Sequence, residues 1–139
     1  NTALKHDATL TIAKTGVAAV HHRRGEIDKA IRAYQEVLTL DANAHFALNG
    51  LARLYLETKP NENNHMTPQK IVDLAEKAVR LLPRPHYMHT LALAYLYAGE
   101  RQKARHTINT AIQLEPNNAS FHQTLVKIKA NEKTDKQNK

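Results

Sequence analysis

The sequence predicts an all-α fold of stacked helical hairpins, and two observations lead to this fold class. The first is an internal repeat: the motif that runs from Val17-Ala18 to Asn43 returns from Leu91-Ala92 to Asn117, with every position shifted by one constant offset. The second is apolar spacing of three and four residues within segments of about 14 residues, which is the period of a helix buried along one stripe. Strand-like alternation is absent from the sequence.

Seven helices are predicted, at about residues 3–23, 26–40, 44–58, 68–82, 86–98, 101–114 and 118–130. Gly25 and Gly99 stand between consecutive helices, where a left-handed C-cap favours glycine. Thr67-Pro68 supplies an N-cap followed by a first helical residue. The last helix keeps apolar residues at Phe121, Leu125 and Ile128 while its other positions become polar, as expected of a helix that caps a stack.

These spacings resemble the tetratricopeptide repeat, a helix-turn-helix unit of about 34 residues. The third copy, residues 85–118, carries the most family features, among them Leu91-Ala92, Gly99, Ala104 and Pro116. The first copy spans about residues 11–44. The middle copy, residues 45–84, has a seven-residue insertion near 58–66. The resemblance implies a right-handed α-solenoid of three repeats and a capping helix at 119–130, together a single domain over residues 1–130. Residues 131–139 contain no apolar residue, so a polar, disordered tail is expected there.

Composition limits the classes of function. The chain has 139 residues and no cysteine, so disulfides and thiolate metal sites are excluded. No apolar run reaches the roughly 20 residues of a membrane-spanning helix, so a soluble protein is expected, of either the cytoplasm or the periplasm. The first residue is not Met, which we interpret as a sign of processing or of excision from a longer protein. The formal net charge of +7 lies entirely in residues 77–139, which favours an acidic partner or an anionic surface.

Catalytic and cofactor sites are not expected. The only serine, Ser120, lacks a nucleophile motif, and the four glycines form no phosphate-binding loop. His86 and His89 would lie on one helix face, but a zinc site needs about three or four protein ligands and no paired His-Glu motif is present. We therefore predict no catalytic residues, no metal site and no cofactor.

The resemblance implies that the first helices of successive repeats line a concave groove that binds a peptide. The groove positions are Thr15, Ala19, His22, Arg23, Phe46, Asn49, Arg53, Leu56, His86, His89, Leu93, Tyr97, Gln123 and Lys127. We expect His22 and His89 to gain charge as the pH falls toward 6 and thereby to weaken the binding of a cationic partner.

Some family members hold a C-terminal carboxylate with Lys, Asn and Arg residues in the groove. Here the corresponding positions are Thr15, Ala19, Gly50, His86 and Thr90, so this clamp is absent. The sequence predicts a non-catalytic scaffold that binds a protein or peptide, and its charge favours an acidic one. Two alternatives remain: nucleic-acid binding through the basic C-terminal half, and self-assembly or docking within a larger protein.

Overall fold

The computed structural model describes the backbone of residues 2–58 and 66–137 and the side chains of residues 8–58 and 66–130. These residues form seven helices and no strand. The helices are α1 (Thr2–Arg23), α2 (Ile27–Leu40), α3 (His45–Thr58), α4 (Pro68–Leu81), α5 (Pro85–Tyr97), α6 (Arg101–Leu114) and α7 (Ala119–Gln137). The all-α class and the helix order are thus confirmed, and the observed helix ends lie within one residue of those predicted, apart from the end of α7. The predicted insertion falls largely on residues 59–65, which lie outside the described residues.

The turns of the first and third hairpins share one backbone motif. Gly25 and Gly99 adopt φ angles of 74° and 80°, in the left-handed region that favours glycine. The amide of Gly25 donates to the carbonyl of His22, and the amide of Glu26 donates to that of His21. The same two bonds recur at Gly99 and Glu100. The internal repeat of the sequence therefore carries over into turn geometry.

The helices pack as a solenoid in which each contacts its neighbours in sequence, and the first helices of successive hairpins also contact one another, α1 with α3, α3 with α5 and α5 with α7. The buried residues of the described part of the chain form three clusters. Buried residues of α2, α3 and α4, including Val37, Leu54 and Ile71, form one cluster, while Ile108 and Phe121 belong to a second cluster between α5, α6 and α7. This arrangement places α1, α3, α5 and α7 side by side along one flank of the stack.

The last helix is longer than predicted. The apolar pattern predicts a cap that ends at Ala130 and a disordered tail at 131–139, whereas α7 continues to Gln137; residues 138 and 139 lie outside the described part of the chain. Residues 131–137 contain neither Gly nor Pro, and they include Glu132, Lys133 and Lys136, which are good helix formers. The absence of apolar residues does not end a helix when no helix-breaking residue is present.

Candidate groove between the first helices

A cavity of about 400 Å³ opens between α3, α5 and the start of α7. Five predicted groove residues line it: Arg53, Leu56, His86, His89 and Leu93. The other lining residues are Glu57, Thr90, Asn118, Ser120 and Phe121. The cavity thus combines apolar side chains with one cation, one anion and two imidazoles.

Glu57 joins two elements at the edge of this cavity. Its carboxylate accepts a hydrogen bond from His22 of α1, with 2.7 Å between Nε2 and Oε2, and lies 3.6 Å from the guanidinium of Arg53. Both Arg53 and Glu57 keep about half of their side-chain surface exposed, at 54% and 48%. A surface pair of this kind is weak, so the guanidinium can exchange Glu57 for a carboxylate of a bound molecule.

The opposite wall is fixed by His89. Its Nε2 lies 2.7 Å from the Oγ1 of Thr124 on α7, and its ring meets Phe121 edge-on at 5.1 Å between centroids. Burial lowers the pKa of His89, and the positive charge of Arg53 lowers it further. Burial likewise lowers the pKa of His86, with additional contributions from Arg84 and Arg53. Both imidazoles therefore stay neutral to a lower pH than an exposed histidine does.

The remaining predicted groove positions lie elsewhere. Thr15 and Phe46 line a separate cavity of about 370 Å³ between α1 and the turn that precedes α3. Arg23, Gln123 and Lys127 are exposed, Tyr97 is 39% exposed, and Ala19 is partly buried; none of them lines the cavity between α3, α5 and α7. The structure thus brings together five of the predicted residues and separates the others along the flank.

Asn49 differs most from its expected place on the groove surface. It is only 6% exposed, because α3 is the central helix and packs against α1, α2, α4 and α5. Its Oδ1 is buried without a hydrogen-bond partner. Asn49 is therefore a buried polar residue next to the groove, and its substitution would test folding as well as binding.

Glu57 is not among the predicted groove residues, although the repeat points to it. Arg23 is a predicted groove residue, and Glu57 holds the equivalent position in the second copy. Thr90, Asn118, Ser120 and Phe121 were also missed. Asn118 belongs to the junction between α6 and α7, and Ser120 lies in the first turn of α7; the repeat pattern carries no signal for the path of such a junction.

The pKa changes predict a dependence of stability on pH. An imidazole whose pKa is lowered by folding binds its proton more weakly in the folded than in the unfolded chain. The folded state therefore keeps its full stability above the ordinary pKa of 6.5, where the imidazole is neutral, and loses stability as the pH falls below that value. We expect the free energy of unfolding, measured in urea, to fall between pH 7.5 and pH 5.5, and to fall less in His89→Gln.

The matched control is His106→Gln, since His106 is exposed on α6. The free energy of unfolding of His106→Gln should depend on pH as that of the wild type does. If the wild type and His89→Gln lost the same stability between pH 7.5 and pH 5.5, His89 would not be a source of the pH dependence.

The lowered pKa of His89 also changes the expectation about binding. Because burial and Arg53 lower the pKa of His89, its effect on a cationic partner should set in at a lower pH than that of an exposed histidine.

Residues 85–118 match the family described as tetratricopeptide repeat. The third hairpin is thus similar to a tetratricopeptide repeat. The resemblance seen in the sequence is thereby confirmed, and the described helices have the solenoid fold of this family. No curated protein sequence matches the chain.

Two solved structures superpose well on this chain, although less than a quarter of the aligned residues are identical. The second TPR domain of human RPAP3, in complex with the HSP70 peptide SGPTIEEVD, superposes with a TM-score of 0.76 at 18% identity over 88% of this chain and 98% of that one. An O-GlcNAc transferase mutant of Thermobaculum terrenum gives 0.78 at 23% identity over 88% of this chain. This chain spans only 22% of the transferase, so the likeness concerns its fold alone.

Within the described residues, no helix is both long and apolar enough to cross a bilayer. The same part of the chain contains no group of three or more His, Asp or Glu side chains placed to hold a metal ion.

Proposed function

We propose that this chain is a non-catalytic interaction scaffold, and that the cavity between α3, α5 and α7 binds an extended segment of a partner protein. The observation that carries the proposal is the cavity itself, which three successive first helices build from both apolar and charged side chains. Peptide grooves combine such apolar surface with a few polar groups that fix orientation. The peptide held by the second TPR domain of human RPAP3 supports the proposal by analogy of fold.

The partner segment carries an acidic side chain toward Arg53. Arg53 is half exposed, its only described ion pair is with the equally exposed Glu57, and its charge reaches both His86 and His89. A guanidinium can hold a carboxylate through two parallel hydrogen bonds. Leu56 and Leu93 supply apolar contact on the two facing helices, so a segment with alternating acidic and apolar residues fits this surface.

A selection from a random peptide library on the immobilised full chain tests this proposal. Selected peptides should be rich in Asp or Glu, and Arg53→Ala combined with His86→Ala should weaken their binding about tenfold or more, as loss of one charged contact does. Arg80→Ala is the matched control, because Arg80 is exposed on α4, away from the cavity. Affinities are measured by fluorescence anisotropy at fixed salt.

Peptide selection also separates this groove from the carboxylate clamp. The peptide SGPTIEEVD should bind no more tightly than a scrambled version, because the clamp positions hold Thr15, Ala19, Gly50, His86 and Thr90. Selected peptides that bind the double variant and wild type equally well would show that the cavity is not the binding site.

A further inference from the structure

An exposed stripe on α1 is unusually apolar for a surface helix. Leu10 and Val17 are 36% and 53% exposed, and Ala13 and Gly16 are also exposed between them. From residue 8 to residue 20 the only charged side chain is Lys14, and it pairs with Glu36 of α2 at 3.2 Å. An apolar stripe in a chain with 24% charged residues indicates a surface that another molecule covers.

The repeat itself shows what covers such a face. Positions 13, 17 and 20 of α1 correspond, one repeat later, to Ala47, Leu51 and Leu54 of α3, which are 0%, 3% and 0% exposed. These three residues lie in one core cluster with Tyr34 and Val37 of α2. In α3 the equivalent face is therefore buried in a core cluster to which the second helix of the preceding hairpin, α2, contributes.

Gly16 defines the shape of the expected partner. Its counterpart is Gly50, and a Cβ added to Gly50 would lie 2.5 Å from the Cζ of Tyr34, so the tyrosine ring of α2 rests directly on that glycine. A Cβ added to Gly16 would meet nothing within 4 Å. Glycine inside a helix costs about 1 kcal/mol relative to alanine, and at Gly16 no contact among the described residues requires it.

We propose that Leu10, Ala13, Gly16 and Val17 form a second docking surface, which binds an amphipathic helix of a partner protein with an aromatic ring over Gly16. The partner helix takes the place on α1 that α2 takes on α3. The helix that rests on Gly50 of α3 is α2, so the partner helix should share the acidic character of that segment. Residues 26–41, which contain α2, have this character, with four acidic and two basic residues.

A tethered copy of residues 26–41 tests the surface on the full chain. The copy precedes Asn1 and carries Tyr34→Trp, so that its tryptophan is the only one present. In the alignment of the repeats, the start of α3 corresponds to a position nine residues after the start of α1. These nine residues span about 14 Å of helix. A linker of about 15 Gly and Ser residues has a mean span of about 20 Å and gives a local concentration near the millimolar range.

Docking should shift the tryptophan emission to the blue and raise the unfolding midpoint of the chain. Gly16→Gln in the chain, which fills the notch, should abolish both effects, and the variant without the tether should remain folded because the new side chain meets open space. Val126→Gln is the matched control, since Val126 is 66% exposed on α7. That variant should keep both effects.

Two results would overturn the proposal. One is that the tryptophan of the tethered copy emits like a fully hydrated residue, or that its emission is the same in the wild-type and Gly16→Gln fusions. The other is a dimer of the untethered chain, seen by sedimentation equilibrium, that Val17→Glu converts to monomer, because a second copy would then cover the face. Neither result bears on the groove, whose lining residues belong to α3, α5 and the start of α7.

Discussion

Replacement of Phe121 by alanine is expected to lower the free energy of unfolding by about 3–5 kcal/mol, the usual cost of removing a buried aromatic ring. Phe121 is 2% exposed and belongs to the cluster that joins α7 to Ile108 of α6 and Ala92 of α5. Its ring also supports His89 edge-on. The measurement is urea unfolding followed by circular dichroism.

The loss should be local at first. Among the described helices α7 contacts only α5 and α6, and in a solenoid a repeat is stabilised only by its direct neighbours. Hydrogen exchange should therefore show lost protection in α7 of Phe121→Ala while α2, α3 and α4 remain protected. Because Phe121 and Ser120 line the groove, binding of the selected peptides should weaken in the same variant.

Val126→Ala is the control for this experiment. Val126 lies on the same helix but is 66% exposed, so its truncation should change stability by no more than about 0.5 kcal/mol. A loss below about 1 kcal/mol in Phe121→Ala, well under the usual range for a buried ring, would mean that the ring does not hold the capping helix on the stack.

Helix positions were predictable because strong local signals define them. Gly25 and Gly99 adopt the left-handed conformation that their place between helices predicts. The hydroxyl oxygen of Thr67 accepts a hydrogen bond from the amide of Lys70 at 3.3 Å, as an N-cap should. The end of α7 was mispredicted because loss of apolar periodicity was interpreted as loss of helix, whereas the backbone of residues 131–137 needs only helix-compatible side chains.

The candidate groove was predictable only in part. The repeat offset gives the position of a residue within its hairpin, which is enough to bring Arg53, His86 and His89 to one cavity. The offset does not show how many helices surround that position, so the burial of Asn49 in the central helix could not be predicted from it. Nor does it give the rotation of α7 that brings Thr124 within 2.7 Å of His89.

Gly50→Ala is expected to destabilise the chain, although alanine is the better helix former. The new Cβ would lie 2.5 Å from Cζ and 2.7 Å from Oη of Tyr34. Tyr34 is 5% exposed, so its ring has little room to move away. Overpacking of this kind costs about 1–3 kcal/mol, and against the helix-propensity gain of about 1 kcal/mol we expect a net loss of up to about 2 kcal/mol in the free energy of unfolding.

Gly16→Ala is the matched control, because Gly16 holds the same position in α1 and a Cβ there meets nothing within 4 Å. It should gain up to about 1 kcal/mol from helix propensity, so the two glycine substitutions should have opposite signs. If both variants were stabilised, Tyr34 would not rest on Gly50 in solution. Tyr34→Leu removes the far end of the ring, and a double-mutant cycle with Gly50→Ala should therefore show a favourable coupling that cancels most of the overpacking.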